Sequence, residues 1–126
     1  MAVTTASLAA NAIENDTLVM AKGVRVWKVV VSSAARVRLY ATSALRTTDT
    51  SPDRPNTIPP TPGTQHGVIL DLFLDTSDKF TWYCAPVADG ANGDTSQSTN
   101  IYAAITNIGT GTVAITVTIH YIPQES

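Results

Sequence analysis

The stretch from Thr112 to Tyr121 limits the possible folds of this chain more than any other. Val113, Ile115, Val117, Ile119 and Tyr121 fall on one side of an extended backbone. Thr112, Ala114, Thr116, Thr118 and His120 fall on the other. Strict period-two patterning over this length is the signature of a half-buried β-strand. Asn100 to Asn107 reads as a second strand, and Ile108-Gly-Thr-Gly111 between them as a Gly-rich turn. The two are expected to form a hairpin. The remaining segments then serve to cover its apolar face.

With 126 residues the chain fits one domain, and its 44% apolar content is enough for a core. Only 14% of residues are charged, against roughly 25% in ordinary soluble domains. The surface is therefore made polar by Thr, Ser and Asn. Such a surface suits close packing against neighbours, and it equally suits the exposed sheet of a monomer. The net charge of −2 and the lack of any basic tract beyond Arg36 and Arg38 argue against nucleic acid as a partner. The single cysteine, Cys84, excludes an intrachain disulfide. The N-terminus lacks the basic and apolar regions of a signal peptide, and no apolar run reaches bilayer-spanning length. The expectation is a soluble protein made in a cytoplasm, with no membrane partner.

Residues 1–12 are small and polar and read as an arm, loose in a monomer and ordered only by a neighbour. The sandwich domain is expected over 13–126. Ile13 to Asp16 is turn-like, and Thr17 to Ala21 is a short strand. Val24 to Val31 is rich in β-branched residues, but its alternation breaks down because both faces carry Val or Trp. That fits a central strand, or a strand with its second face on a partner. Arg36 to Thr42 alternates cleanly, with Val37, Leu39 and Ala41 opposite Arg36, Arg38 and Tyr40.

A long irregular region spans 43–65. Five of the seven prolines fall between Pro52 and Pro62, which excludes a sheet interior there. Ala44 to Asp49 at its start is compatible with a helical turn. Gly67 to Asp75 is a strand with Val68, Leu70, Leu72 and Leu74 on one side. Its other side, Ile69, Asp71, Phe73 and Asp75, is mixed and suited to meeting another chain. Phe80 to Ala85 is a strand, 86–99 a second loop of Gly, Asp and Ser, and Pro123 is expected to stop the last strand. Seven strands, turn signals between them and no convincing helix predict an all-β, single-domain antiparallel sandwich. It would be jelly-roll or immunoglobulin-like, with long end loops.

Few residues carry chemistry. The face of Arg36, Arg38 and Tyr40 suits a carboxylate, phosphate or sugar, because Arg forks and aromatic faces recognise those groups. The competing reading is that these arginines pair with an Asp from a neighbouring strand. Asp89, Asn92 and Asp94 offer oxygen ligands in one loop, but their spacing departs from a calcium-binding loop and suits ordinary turns. His66 and His120 lack companions at zinc-ligand spacing. No nucleophile elbow or phosphate-cradling loop is present in the sequence. Neither catalysis, a metal nor a cofactor is expected.

The order of segments resembles a group of small β-sandwich virion proteins of tailed bacteriophages. The resemblance lies in Arg36 to Thr42, Gly63 to Asp71, the loop Asp89 to Asp94, and Ile101 to Asn107 followed by a Thr/Val-rich last strand. It covers most of the chain from about residue 24. It implies a non-enzymatic component of the virion, assembled in the host cytoplasm, that decorates the capsid or serves the neck, tail or fibre. Its partners would be other virion proteins and copies of itself. The competing function is a carbohydrate-binding module for host-surface glycan, motivated by Tyr40, Tyr83 and Tyr102. The candidate interaction surface comprises Arg36, Arg38, Tyr40, Thr116, Thr118 and His120.

Overall fold

Alternating sequence becomes paired strands throughout the structure, a computed structural model that describes residues 1–49 and 68–125. The strands are β1 (Ala2–Thr4), β2 (Ile13–Val19), β3 (Gly23–Val31), β4 (Ala35–Tyr40), β5 (Val68–Leu74), β6 (Thr81–Ala91), β7 (Asn100–Asn107) and β8 (Thr116–Glu125). One short helix, α1 (Ser43–Asp49), follows β4, and a 3-10 turn at Ser77–Lys79 precedes β6. The expected helical turn after Ser43 is thus present. Thr42 caps it, its hydroxyl accepting from the Leu45 amide at 3.1 Å.

Two four-stranded antiparallel sheets pack as a sandwich. The first has the order β1-β8-β3-β6, the second β2-β7-β4-β5. First pairs with last: β1 with β8, β2 with β7, β3 with β6, β4 with β5. The chain is a long hairpin nested on itself and rolled up, with β3·β8 and β4·β7 joining the nested pairs into sheets. This is jelly-roll connectivity. An immunoglobulin-like sandwich sets several sequence neighbours side by side; here, among the described strands, only β4 and β5 are.

The core lies between the sheets. Val24, Val26, Val29 and Val31 of β3 and Val117 and Ile119 of β8 meet Val37, Leu39, Ile101, Ile105, Leu18 and Leu74. Each such side chain contributes roughly 1.5–3 kcal/mol by leaving water. The spacing of the β3 valines shows why its alternation looked broken. The register shifts between Val26 and Lys28, so the inward set resumes one residue late. The bulge keeps four valines inside and turns Trp27 and Lys28 outward.

Five expectations are corrected. The arm is not loose: β1 pairs with β8, Leu8 bridges to Val113, and Leu8 is buried. Ile13 to Asp16 is not a turn but the first half of β2, paired with β7. β7 and β8 are not a hairpin, because they lie in opposite sheets and residues 108–115 cross between them. Pro123 does not stop the last strand. β8 runs to Glu125, with Pro123 opposite Val24 at a level that β1 does not reach. There the proline ring faces an edge with no donor to lose. The loop expected over 86–99 shortens likewise, since β6 continues to Ala91. The proline-rich part of 43–65 and His66 lie outside the described residues.

Candidate functional site

The sequence placed Arg36, Arg38 and Tyr40 on one face, and they share the outer face of β4. That face is not open, because all three residues are buried. The side chains that cover it explain how a charged stripe is buried at tolerable cost. Arg36 donates twice to Asp71, from Nε to Oδ1 at 2.8 Å and from Nη2 to Oδ2 at 2.6 Å. Its guanidinium also lies 4.5 Å from the Phe73 ring centroid. Arg38 sits 3.8 Å from the Asp49 carboxylate and donates to the Thr106 hydroxyl at 3.3 Å. Tyr40 donates its hydroxyl proton to Asp49.

An isolated buried charge costs several kcal/mol, so each arginine needs an anion beside it. β5 supplies Asp71 directly. Asp49 arrives because α1 folds back after β4. Burial, followed by the bond to Asp49, pushes the Tyr40 hydroxyl far above its ordinary pKa. The hydrogen bond to Asp71 raises Arg36 despite its desolvation. Arg36, Arg38 and Tyr40 therefore form a buried ion-pair cluster in the folded chain. The reading in which Arg pairs with Asp from a neighbouring strand holds at Arg36.

The cluster extends along the same face. Arg46 of α1 donates to the Asp16 carbonyl at 2.8 Å and lies 5.4 Å over the Tyr102 ring. Tyr102 donates to Asp94 at 2.7 Å. That bond, with a second from Asn92, holds the Asp94 carboxyl below its usual range and raises Tyr102. Asn92 is buried and fastens the loop, donating to the Asn100 carbonyl at 2.6 Å and accepting from the amides of Asp94 and Ser98. Asp89 instead pairs with Arg25 at 2.9 Å. The oxygens of the loop are thus spent on the fold. Among the described residues no three His, Cys, Asp or Glu side chains are grouped to hold a metal.

Thr116, Thr118 and His120 lie on the outer face of the first sheet and are half-buried. Thr116 shares a hydroxyl contact of 2.9 Å with Thr4, its cross-strand partner in β1. His120 sits opposite Lys28, its ring 5.3 Å from that of Trp27. Beside them the structure places Tyr83, already marked in the sequence, and two residues that were not, Ile122 and Trp27. Tyr83 is 62% exposed, Ile122 51% and Trp27 38%. Lys28 lies over the Tyr83 ring at 5.3 Å, and Arg25 is held by Asp89. This is an aromatic and hydroxyl-rich face whose charges already have partners. The signal for it was the phase break in Val24 to Val31, which the bulge explains. Of the three tyrosines proposed for glycan, only Tyr83 is open. Tyr40 is buried, and Tyr102 is engaged by Asp94 and Arg46.

A hollow of about 310 Å³ at one end of the sandwich is lined by Phe80, Asn107, Val113, Ser33, Thr110 and Thr112, with no titratable group. The Asn107 amide is spent on the carbonyls of Leu8 and Gly111, so it closes the loop and does not face a ligand. No helix among the described residues is long and apolar enough to cross a membrane. No family model, curated protein or solved structure matches the chain.

Proposed function

We propose that this chain is a non-enzymatic structural protein of a tailed-phage virion, held on the capsid or the tail and neck by protein contacts. The outer face of the first sheet carries this reading. Trp27, Tyr83 and Ile122 are exposed there beside Thr116, Thr118 and His120, and Arg25 is already paired. Such a face can be covered by another protein surface without stranding many charges. The jelly-roll connectivity is compatible with the reading, since capsid domains use it; lectin domains use it too, so the fold does not select. The segment order that resembles virion proteins supplies the particular setting, with partners among other virion proteins and copies of this chain. A non-enzymatic role accords with a polar cluster whose Arg and Asp groups are spent on each other.

Mass spectrometry of purified particles from the phage that encodes the chain tests the proposal. Many copies per particle are expected, and absence from the particle overturns it. The Trp27→Ser, Tyr83→Ser double variant tests the face. It is expected to fold, because both side chains lie outside the core, and to be lost from particles. Normal incorporation would place the contacts elsewhere. The exposed rings of Trp27 and Tyr83 also favour one second reading, a receptor-binding role on host-surface glycan. Particle incorporation that survives the double variant, together with glycan-array binding that it abolishes, would select that reading.

A further inference from the structure

A sandwich of two open sheets has four edge strands, and each exposes a row of backbone donors and acceptors that invites another strand. Three edges here carry recognised guards. β1 is only 3 residues long. β2 turns Glu14 and Asp16 toward the sandwich interior, on the same side as Leu18. A strand added beside β2 would have to accommodate those inward carboxylates. β6 is interrupted by Pro86 and by the irregular register opposite Trp27.

Among the described residues, β5 has no such guard over most of its length. It bulges at Ile69, where the register against β4 shifts and Gly90 of β6 packs so closely that a Cβ there would lie 2.4 Å from Ile69 Cγ1. From Leu70 to Leu74 the register is regular, with no proline and no lysine. Its one charge, Asp71, is drawn back over β4 by Arg36. The apolar surface on this flank is unusually open. Phe73 is 53% exposed, and Trp82 of the neighbouring β6 edge is 39% exposed.

We infer that β5 pairs antiparallel with β5 of a second copy of this chain, about a two-fold axis through Leu72. The sequence of the strand can pair with itself, and it favours one register. A two-fold axis normal to the sheet keeps each face on its own side, so it must pass through a residue. Centred on Leu72, it sets Leu70 opposite Leu74 of the second copy on the core side. On the outer side it sets Asp71 opposite Phe73, within reach of the Arg36 that already touches both. Centred on Asp71, it would oppose two carboxylates, which is destabilising. The pairing extends the second sheet across two chains and is isologous. Five paired residues bury well under the ~800 Å² per partner of a standard interface, so the contact is weak in dilute solution and is reinforced by other contacts in an assembly. The inference builds on the assembly reading above by naming one partner, but it uses a different surface.

The test is disulfide trapping in a Cys84→Ser background. Leu72→Cys alone places two thiols on the axis, where opposed Cβ atoms come near the ~3.5–4.5 Å that a disulfide needs. Asp75→Cys, exposed and displaced from the axis, is the control. Leu72→Cys is expected to form the covalent dimer about tenfold faster or more. Equal rates, or no dimer from a folded Leu72→Cys variant at high concentration, would overturn the inference. The unmodified chain gives an independent check. Backbone amides of Leu70 to Leu74 should exchange more slowly in concentrated than in dilute solution, and unchanged exchange counts against the pairing. Neither readout involves Trp27 or Tyr83, so failure here leaves the sheet-face reading standing, and the converse holds.

Discussion

At the scale of single residues, the cluster on β4 shows how a charged stripe is made internal. Arg36 is nearly sealed, whereas its partner Asp71 keeps about a third of its side chain in water. Removing the partner leaves the guanidinium buried and uncompensated. Asp71→Ala is therefore expected to cost about 2 kcal/mol, less than a fully buried pair because water can enter on the Asp side. Arg36→Met combined with Asp71→Leu should recover most of that loss, since no charge is left stranded. Urea denaturation of the single and double variants checks both statements, and an additive double variant would refute the account.

Asp16 sits in the opposite situation. Burial first, then the adjacent Glu14, raise its pKa from 3.8 to about 6, with Arg46 opposing. The folded chain holds this proton more tightly than the unfolded chain does. Its contribution to stability is thus fully present below about pH 4 and is lost as pH rises through about 6. Asp16→Asn should flatten that part of the pH profile and stabilise the protein at neutral pH. Urea midpoints measured between these limits check it; a variant that keeps the wild-type slope assigns the effect to another group.

At the scale of elements, the N-terminal segment is the clearest departure from what its sequence announces. Leu8 packs into the sandwich end, the Leu8 amide and carbonyl both bond Val113, and the Thr5 amide bonds the Ile115 carbonyl. Leu8→Ala is expected to cost about 2–3 kcal/mol, as for a core leucine. A loose arm would make the same substitution silent, so a thermal melt distinguishes the two. Three-residue β1 left no readable period, because alternation needs more residues than that to stand out. Ile13-Glu-Asn-Asp16 resembled a turn because Asn and Asp favour turns, yet β7 recruits it as a strand. Tertiary pairing prevailed over local preference.

Alternation did locate β4, β5, β7 and most of β8, and it assigned the inward residues of β4 correctly. It was silent on which strand lies beside which. Period two reports a face, whereas adjacency depends on where the chain goes next. The hairpin expected from β7 and β8 failed for that reason. The Arg36, Arg38 and Tyr40 stripe was legible as a face, but not as a covered one. The residue that pairs with Arg38 and accepts from Tyr40 comes from α1, and a seven-residue helix with no buried residue leaves little pattern to read.

At the scale of the whole molecule, the two outer surfaces have unlike characters. Beyond the second sheet lie ion pairs and Asn92-centred hydrogen bonds, which fix the fold. Beyond the first sheet lie Trp27, Tyr83, Ile122 and the threonines, whose exposed area contributes little to the isolated chain's stability. The buried polar pairs thus lie over the second sheet, whereas most of the exposed aromatic area, Phe73 apart, lies over the first.

The guarded edges have a further consequence, which concerns valence. A subunit with two bare edges can add strand to strand without limit and become a fibre. A subunit with one bare edge is monovalent through its backbone. The first partner to dock there uses up the site, and growth along the sheet ends at two chains. If β5 pairs as inferred above, any larger array would have to be built through side-chain surfaces such as the Trp27 and Tyr83 face, and its size and shape would be set by chemistry that mutation can tune residue by residue.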